Sequence, residues 1–243
     1  MENRLRVLLC VLFVGLLGVS NPLSLHVDLK RTSLDLLDPV AFVITIVNSA
    51  KTPVVASFPT SDMYDIAVSA HGKEVWSWSK SHLSTQVLRS YTFAPGKTVL
   101  VTYIWDALVG HQSAAPGEYL AHVRLIDSKY HPGTDVPFRF ALPLPVSAAL
   151  QLPVGTAVTV SGTLRPNGTR TQLVDPYGAV TLSKRIAMFS PNGAFVVRGY
   201  VTKENGELFL AVDRWARTLD NPEPALTAPP VPATPAPRKT PHP

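Results

Sequence analysis

The sequence predicts an all-β protein: an immunoglobulin-like β-sandwich, then a small OB-like Greek-key barrel, then a disordered Pro-rich C-terminal tail. Between Asn21 and Asn221 no segment sustains an apolar period of about 3.6 residues, whereas alternating or β-branched runs recur throughout. Turn dipeptides separate those runs, among them His71-Gly72, Pro95-Gly96, Pro116-Gly117 and Pro132-Gly133. Past Asp220 the composition shifts to proline with almost no large apolar residue, too little to bury a core.

At the N-terminus, Arg4 and Arg6 precede an apolar run from Val7 to Val19. As a helix that run spans about 20 Å, short of a hydrocarbon core of about 30 Å. Gly18 and Ser20 suit the −3 and −1 positions of a signal-peptidase site before Asn21. The expectation is a cleaved signal peptide over residues 1–20 and a secreted or cell-envelope protein. An uncleaved anchor is the alternative and would be the one membrane contact. Cys10, the single cysteine, lies inside this run, so a mature chain excludes disulfides, thiol catalysis and Cys-based metal sites. Without Glu2, Arg4 and Arg6 the chain keeps 20 basic and 16 acidic residues, a mildly basic balance that selects no partner.

The strands of the first domain, residues 21–146, follow in order. LSLHVDL (Leu23–Leu29) alternates, with Leu23, Leu25, Val27 and Leu29 on one face. The more uniformly apolar PVAFVITIVNS from Pro39 suits a strand buried on both sides or lying centrally in a sheet. PVVASF, MYDIAVS, KEVWSWS, TQVLRSYTF, KTVLVTYIW and GEYLAHVRLI come next, and VPFRFALPL closes the set as an edge strand because of Pro137 and Pro143. About eight short, evenly spaced strands suit a sandwich. A joint at 147–155 leads to residues 156–217, where TAVTVSGTL, RTQLVD, GAVTLS, AFVVRGYVT and GELFLAV are linked by RPNG, DPYG, SPNG and KENG turns. Five strands in so short a span match an OB-type barrel, and mid-strand Gly162 and Gly199 would let the sheet bend to close. The helix usual between the third and fourth strands has only SKRIAMFS to occupy. Residues 218–243 form the expected tail.

Chemistry is sparse. The seven histidines form no metal-binding or zincin spacing, and nucleophile-elbow, P-loop and dinucleotide fingerprints are absent from the sequence. Asp65 and Glu74 flank the His71-Gly72 turn, but surface carboxylates across a hairpin are far commoner than a catalytic pair. The expectation is a non-enzyme without cofactors or metal. Lys184, Arg185 and Arg198 are the basic residues that could line an oligonucleotide or oligosaccharide face of the barrel, although the aromatic supply there is thin and nucleic acid is a disfavoured partner.

Trp76 and Trp78 sit two residues apart on what reads as one strand face, with Ser77 and Ser79 opposite. Rings of that size belong in the sandwich core sooner than in solvent. Their context carries a resemblance. Val47-Asn48-Ser49, SFPTSDMYDIAV, GKEVWSWS, STQ, APGK, Tyr103-x-Trp105 and PGEYLAHV, in that order over about residues 23–145, resemble the BsuPI domain of the intracellular proteinase inhibitor family. The resemblance implies an immunoglobulin-like sandwich and a protein partner, a subtilisin-like serine protease. Its motif positions are Asn48, Phe58, Pro59, Tyr64, Asp65, Trp76, Trp78, Ser79, Gly96, Trp105, Gly117 and Tyr119. The chain departs from the family pattern at Ser77 and Ser84, and in its signal-like N-terminus. The matched positions look like scaffold, so the inhibitory loop is sought in exposed segments: Lys80, Ser81, His82 and Leu83 within SKSHLS, or the segment SKYHPGTD. The other readings are an extracytoplasmic structural or adhesion module, and ligand binding by the barrel.

Overall fold

The computed structural model describes residues 21–183 and 193–218. The expected signal peptide, the tail beyond Thr218, Lys184, Arg185 and nearly all of SKRIAMFS lie outside the described residues. The strands are β1 (Leu23–Leu29), β2 (Ser33–Leu34), β3 (Val40–Asn48), β4 (Val54–Phe58), β5 (Tyr64–Ala70) and β6 (Lys73–Ser77). A single helical turn, α1 (Trp78–Ser81), follows. Then come β7 (Arg89–Phe93), β8 (Thr98–Trp105), β9 (Leu108–Val109), β10 (Gln112–Ser113), β11 (Gly117–Leu125) and β12 (Gly133–Phe140). After α2 (Val146–Ala149) the barrel strands are β13 (Ala157–Asn167), β14 (Arg170–Asp175), β15 (Gly178–Leu182), β16 (Ala194–Glu204) and β17 (Glu207–Thr218).

The sandwich packs the sheet β1-β3-β8 against β2-β12-β11-β5-β6, and the β4–β7 pair prolongs the first sheet beyond Asn48. Strict alternation in β3 sends Val40, Phe42, Ile44 and Ile46 inward, all buried. They meet Ile66, Val68, Ala121, Val123, Phe138 and Phe140 of the second sheet in one hydrophobic cluster. Phe42 meets Phe138 edge-on with centroids 6.4 Å apart, and Trp105 approaches Phe138 at 6.5 Å and Phe140 at 6.2 Å. Each such side chain stabilises the fold by about 1.5–3 kcal/mol. β12 pairs fully only with β11, its other edge carrying the two residues of β2 in parallel, which accommodates Pro137.

The second unit closes. β14 pairs β13 and β15, β13 pairs β16, β16 pairs β17, and a parallel pairing of β15 with β17 completes the circuit. A Cβ on Gly162 would stand 2.4 Å from the Val174 carbonyl oxygen, and one on Gly199 2.3 Å from that of Ala211. Only glycine permits strands to approach that closely in mid-barrel. β13 runs on through Arg165 and Pro166 to Asn167, where the sequence suggests a four-residue turn. Pro166 lies past the stretch paired with β16 and faces β14 alone, so its missing N–H costs no ladder bond on the open side. Val146 and Ala149 of α2 are buried under the barrel, and the Asp175 carboxylate accepts from the Val146 N–H at 2.7 Å.

The two units share a sheet edge. β10 pairs in parallel with the end of β17, Gln112 beside Arg217 and Ser113 beside Thr218. Val196 and Ala216 of the barrel join the sandwich cluster. Asp38, 1% exposed, receives a hydrogen bond from Arg31 at 2.9 Å and forms an ion pair with Arg198 at 3.0 Å, off hydrogen-bond angle.

Candidate functional site

The β5–β6 hairpin turns through His71 and Gly72, both in the left-handed region (φ 51° and 73°), as a two-residue hairpin turn requires. A register shift follows between Val68 and Ser69: Val68 faces Trp76 and Ser69 faces Glu74, leaving Val75 as an extra residue. Beyond the bulge Ser77 turns into the core, and its hydroxyl lies 3.0 Å from that of Ser79. The strand then ends. Trp78 opens α1, so the two tryptophans do not share a strand face, and both are half-buried. The fully buried indole is Trp105, whose Nε1–H donates to Leu108 O at 3.1 Å.

Trp76 and Trp78 wall an open groove of about 690 Å³ between β6 and the C-terminal end of β8. Trp76 stacks on Trp105 at 5.3 Å and on Tyr103 at 5.8 Å, and Trp78 meets Tyr103 edge-on at 4.4 Å. Burial, then the neighbouring carboxylate of Asp106, pushes the Tyr103 phenol up to about 12. Tyr103, from the Tyr103-x-Trp105 block of the resemblance, is thus the ring that both Trp76 and Trp78 contact.

At the rim of this groove the chain is fastened down. Asp65, buried, accepts from the Ser79 N–H at 3.1 Å and from Arg124 at 3.2 Å. Glu74 instead pairs with Lys80 at 2.7 Å, so the two carboxylates have separate structural partners. Ser81 donates its hydroxyl to Trp78 O. His82 stacks on Trp78 at 3.6 Å, its Nδ1 lying 2.6 Å from Trp78 O and its Nε2 3.0 Å from Asp62 Oδ2. Three residues on, Thr85 is fastened to Ser61 twice: the Ser61 N–H donates to Thr85 O at 2.9 Å, and the Thr85 N–H to Ser61 Oγ at 3.2 Å. Between the anchors Leu83 projects fully into solvent, and the segment continues without regular structure through Leu88, 75% exposed, to β7.

The other expected positions are scaffold. Phe58 and Tyr119 are buried, and the Tyr119 hydroxyl donates to Ala115 O. Asn48, wholly buried, bonds four backbone groups at the end of β3. Tyr64 is half-buried, its phenol raised by burial and then by Asp62, and Pro59 is exposed. Gly96 and Gly117 hold positive φ. The segment SKYHPGTD is held at its start by the buried carboxylate of Asp127, which accepts from Ser57, Lys129 and Tyr130, and its last three residues enter β12. Arg198 stands not in a ligand groove but between Asp38 and Asp213, each at 3.0 Å. His122 is an exposed strand residue with Nδ1 2.6 Å from Asp135. Among the described residues no cluster of three or more His, Cys, Asp or Glu is placed to hold a metal ion.

Comparison with known proteins gives one family match, within the sandwich. Residues 25–130 match the model of the family BsuPI, described as intracellular proteinase inhibitor. No curated protein matches the chain. Among solved structures, a sporulation control protein from Bacillus subtilis is 11% identical, with 74% of this chain and 79% of that one covered at a TM-score of 0.36. A cycloisomaltooligosaccharide glucanotransferase from Paenibacillus sp. is 12% identical over 53% of this chain and 15% of that one, at a TM-score of 0.33. A CARDB domain from Pyrococcus furiosus, in complex with di-metal ions, is 9% identical over 49% of this chain and 87% of that one, at 0.30. Likenesses at this level carry no functional argument. The family's description as intracellular overturns the expected secreted or cell-envelope location. A short apolar run after two arginines measures hydrophobicity, not destination, and residues 1–20 lie outside the described residues. The activity described for the family is inhibition rather than catalysis. The segment from residue 25 to residue 130, somewhat under half of the chain, is what matches the BsuPI model of the intracellular proteinase inhibitor family.

Proposed function

We propose that the sandwich inhibits a subtilisin-like serine protease by placing the segment Lys80–Leu83 in its substrate cleft, with Leu83 filling an apolar specificity pocket. One observation carries the reading: Leu83 is fully exposed between two residues, His82 and Thr85, that are each bonded to the Asp62–Ser61 loop. A protease reads an extended main chain and the side chain that enters its pocket. Fastening the chain on both sides removes most of the ordering cost of binding, the property that separates an inhibitory loop from a floppy substrate. The family's description supplies the partner class; the apolar character of Leu83 supports a protease that accepts large apolar side chains.

Titration of the purified chain against a subtilisin-type protease, read with a chromogenic peptide, tests this. The expected result is stoichiometric loss of activity. Leu83→Ala should weaken inhibition about tenfold and Leu83→Glu more than about a hundredfold, as befits lost burial of one leucine and an added charge. Neither change touches the core, so thermal unfolding should match the parent chain. Undiminished protease activity at micromolar excess, or full inhibition by L83E, overturns the proposal.

A further inference from the structure

We propose that two copies of this chain pair through β8, antiparallel across a two-fold axis at Thr102, forming one continuous sheet. This goes beyond the inhibitor reading and does not depend on it.

β8 is a sheet edge. It is hydrogen-bonded on one side, to β3, and among the described residues no backbone group outside that ladder bonds to Thr98–Trp105. An edge strand of eight residues presents about 26 Å of unpaired N–H and C=O groups. Proteins ordinarily blunt such edges with charge or proline. Of the other sandwich edges, β1 carries Asp28, β6 carries Lys73 and Glu74, and β4 is bonded on its open side, where Ser57 donates to the Asp127 carboxylate and accepts from the Ser128 N–H. β8 reads TVLVTYIW, with neither charge nor proline, and its outward face exposes Leu100 at 65% and Ile104 at 60%. The groove beside Trp76 and Trp78 runs along its C-terminal half and leaves the edge approachable.

The occupant follows from the sequence of the strand itself. Directly opposed residues of an antiparallel pair lie on one face. With Thr102 on the axis, Leu100 of each copy faces Ile104 of the other, and Thr102 faces its own equivalent. On the inward side Val101 faces Tyr103 and Val99 faces Trp105, so every apolar residue meets an apolar residue. The charges at the two ends agree with this register. Exposed Lys97 precedes the strand and exposed Asp106 follows it. Antiparallel pairing therefore brings Lys97 of one copy within a residue of the position facing Asp106 of the other, twice by symmetry. Shifting the axis to Val101 sets Leu100 against Thr102 and Ile104 against Thr98, losing both apolar pairs. An isologous contact of this kind closes after two copies. A strand-to-strand contact is smaller than an obligate dimer interface, so the association should be weak and dependent on concentration.

Sedimentation velocity of the full chain from about 1 to about 200 μM tests the proposal. The weight-average mass should climb from 26.3 kDa toward twice that value. The double substitution Leu100→Lys with Ile104→Lys places like charges opposite one another and should weaken association at least about a hundredfold. Leu100→Lys with Ile104→Glu places opposite charges across the same axis and should restore association to within about tenfold of the parent. Both positions are exposed, so thermal unfolding should be unaltered, and inhibition of a protease through Leu83 should be unaltered too. A monomer throughout the concentration range overturns the proposal. So does a dimer indifferent to L100K/I104K, and a dimer lost equally in both variants overturns the register.

Discussion

Asn48 gives a sharp test of how the sandwich holds its first sheet together. Its carboxamide nitrogen lies 3.0 Å from Thr52 O, 2.9 Å from Phe93 O and 3.1 Å from Ala94 O, and its oxygen accepts from the Ala50 N–H at 2.9 Å. The side chain is wholly buried where β3 gives way to β4 and β7 to β8, so it bonds the break in both strands. Asn48→Ala leaves Phe93 O and the Ala50 N–H without partners, while Thr52 O and Ala94 O lie nearer to water. At about 1–3 kcal/mol per stranded group the loss should be about 2–4 kcal/mol. Asn48→Asp keeps the shape but turns a carboxylate oxygen toward three carbonyl oxygens, and should cost more than the alanine despite being isosteric. The introduced carboxyl group, desolvated and facing acceptors, titrates in the folded state above its unfolded value. The unfolded chain therefore binds fewer protons across that interval, and stability falls as pH rises through it. Acidification should accordingly narrow the gap between N48D and the parent. Urea unfolding followed by tryptophan fluorescence near neutrality and at mildly acid pH measures both quantities. An N48D chain as stable as N48A near neutrality, or a gap that widens on acidification, would refute the assignment of Asn48 as a donor to these carbonyl groups.

Gly199→Ala should loosen the barrel by about 2–4 kcal/mol, because the new methyl group meets the Ala211 carbonyl oxygen and only a backbone shift relieves it. Gly178→Ala, with nothing nearer than 3.7 Å, should change amide exchange in β16 and β17 little, and equal protection in the two variants would contradict the close approach. Tyr103, raised to about 12, keeps its proton in the folded state where the unfolded chain begins to lose it near 10. Stability should be fully present below pH 10 and decline between there and about 12, and a slope undiminished in Tyr103→Phe would sink the attribution to this phenol.

Much of the fold was legible because backbone pattern alone decides it. The alternation of β1 and β11 specifies which face turns inward, whereas the uniformly apolar β3 shows its inward face only in the structure. Gly162 and Gly199 announced barrel closure, since a mid-strand glycine gains nothing unless another backbone comes close. Short pieces escaped. β2, β9 and β10 are two residues each, too brief for any period, and they exist because longer strands already stand beside them.

The tryptophan pair failed for a different reason. Alternation assumes an unbroken register, and one extra residue at Val75 sends Ser77 inward and ends the strand before Trp78. Nothing in KEVWSWS marks that bulge; it is set by β5, to which Trp76 and Glu74 pair with a slip. The same slip shapes the segment proposed as inhibitory. Had the strand continued, Lys80 to Leu83 would have extended β6 along the sheet. Because it stops, Trp78 folds back under His82, His82 reaches Asp62, and Leu83 is left facing outward between two fastenings that lie about twenty residues away in sequence. Motif positions such as Asn48, Asp65 and Trp105 are visible because they hold the scaffold, and the contacts that expose Leu83 are not visible because each depends on two segments at once. Restoring an unbroken β6 by deleting Val75 should therefore carry Trp78 back into the strand and abolish inhibition with Leu83 itself unchanged. A deletion variant that still inhibits as the parent does would separate the loop from the bulge and break this chain of cause.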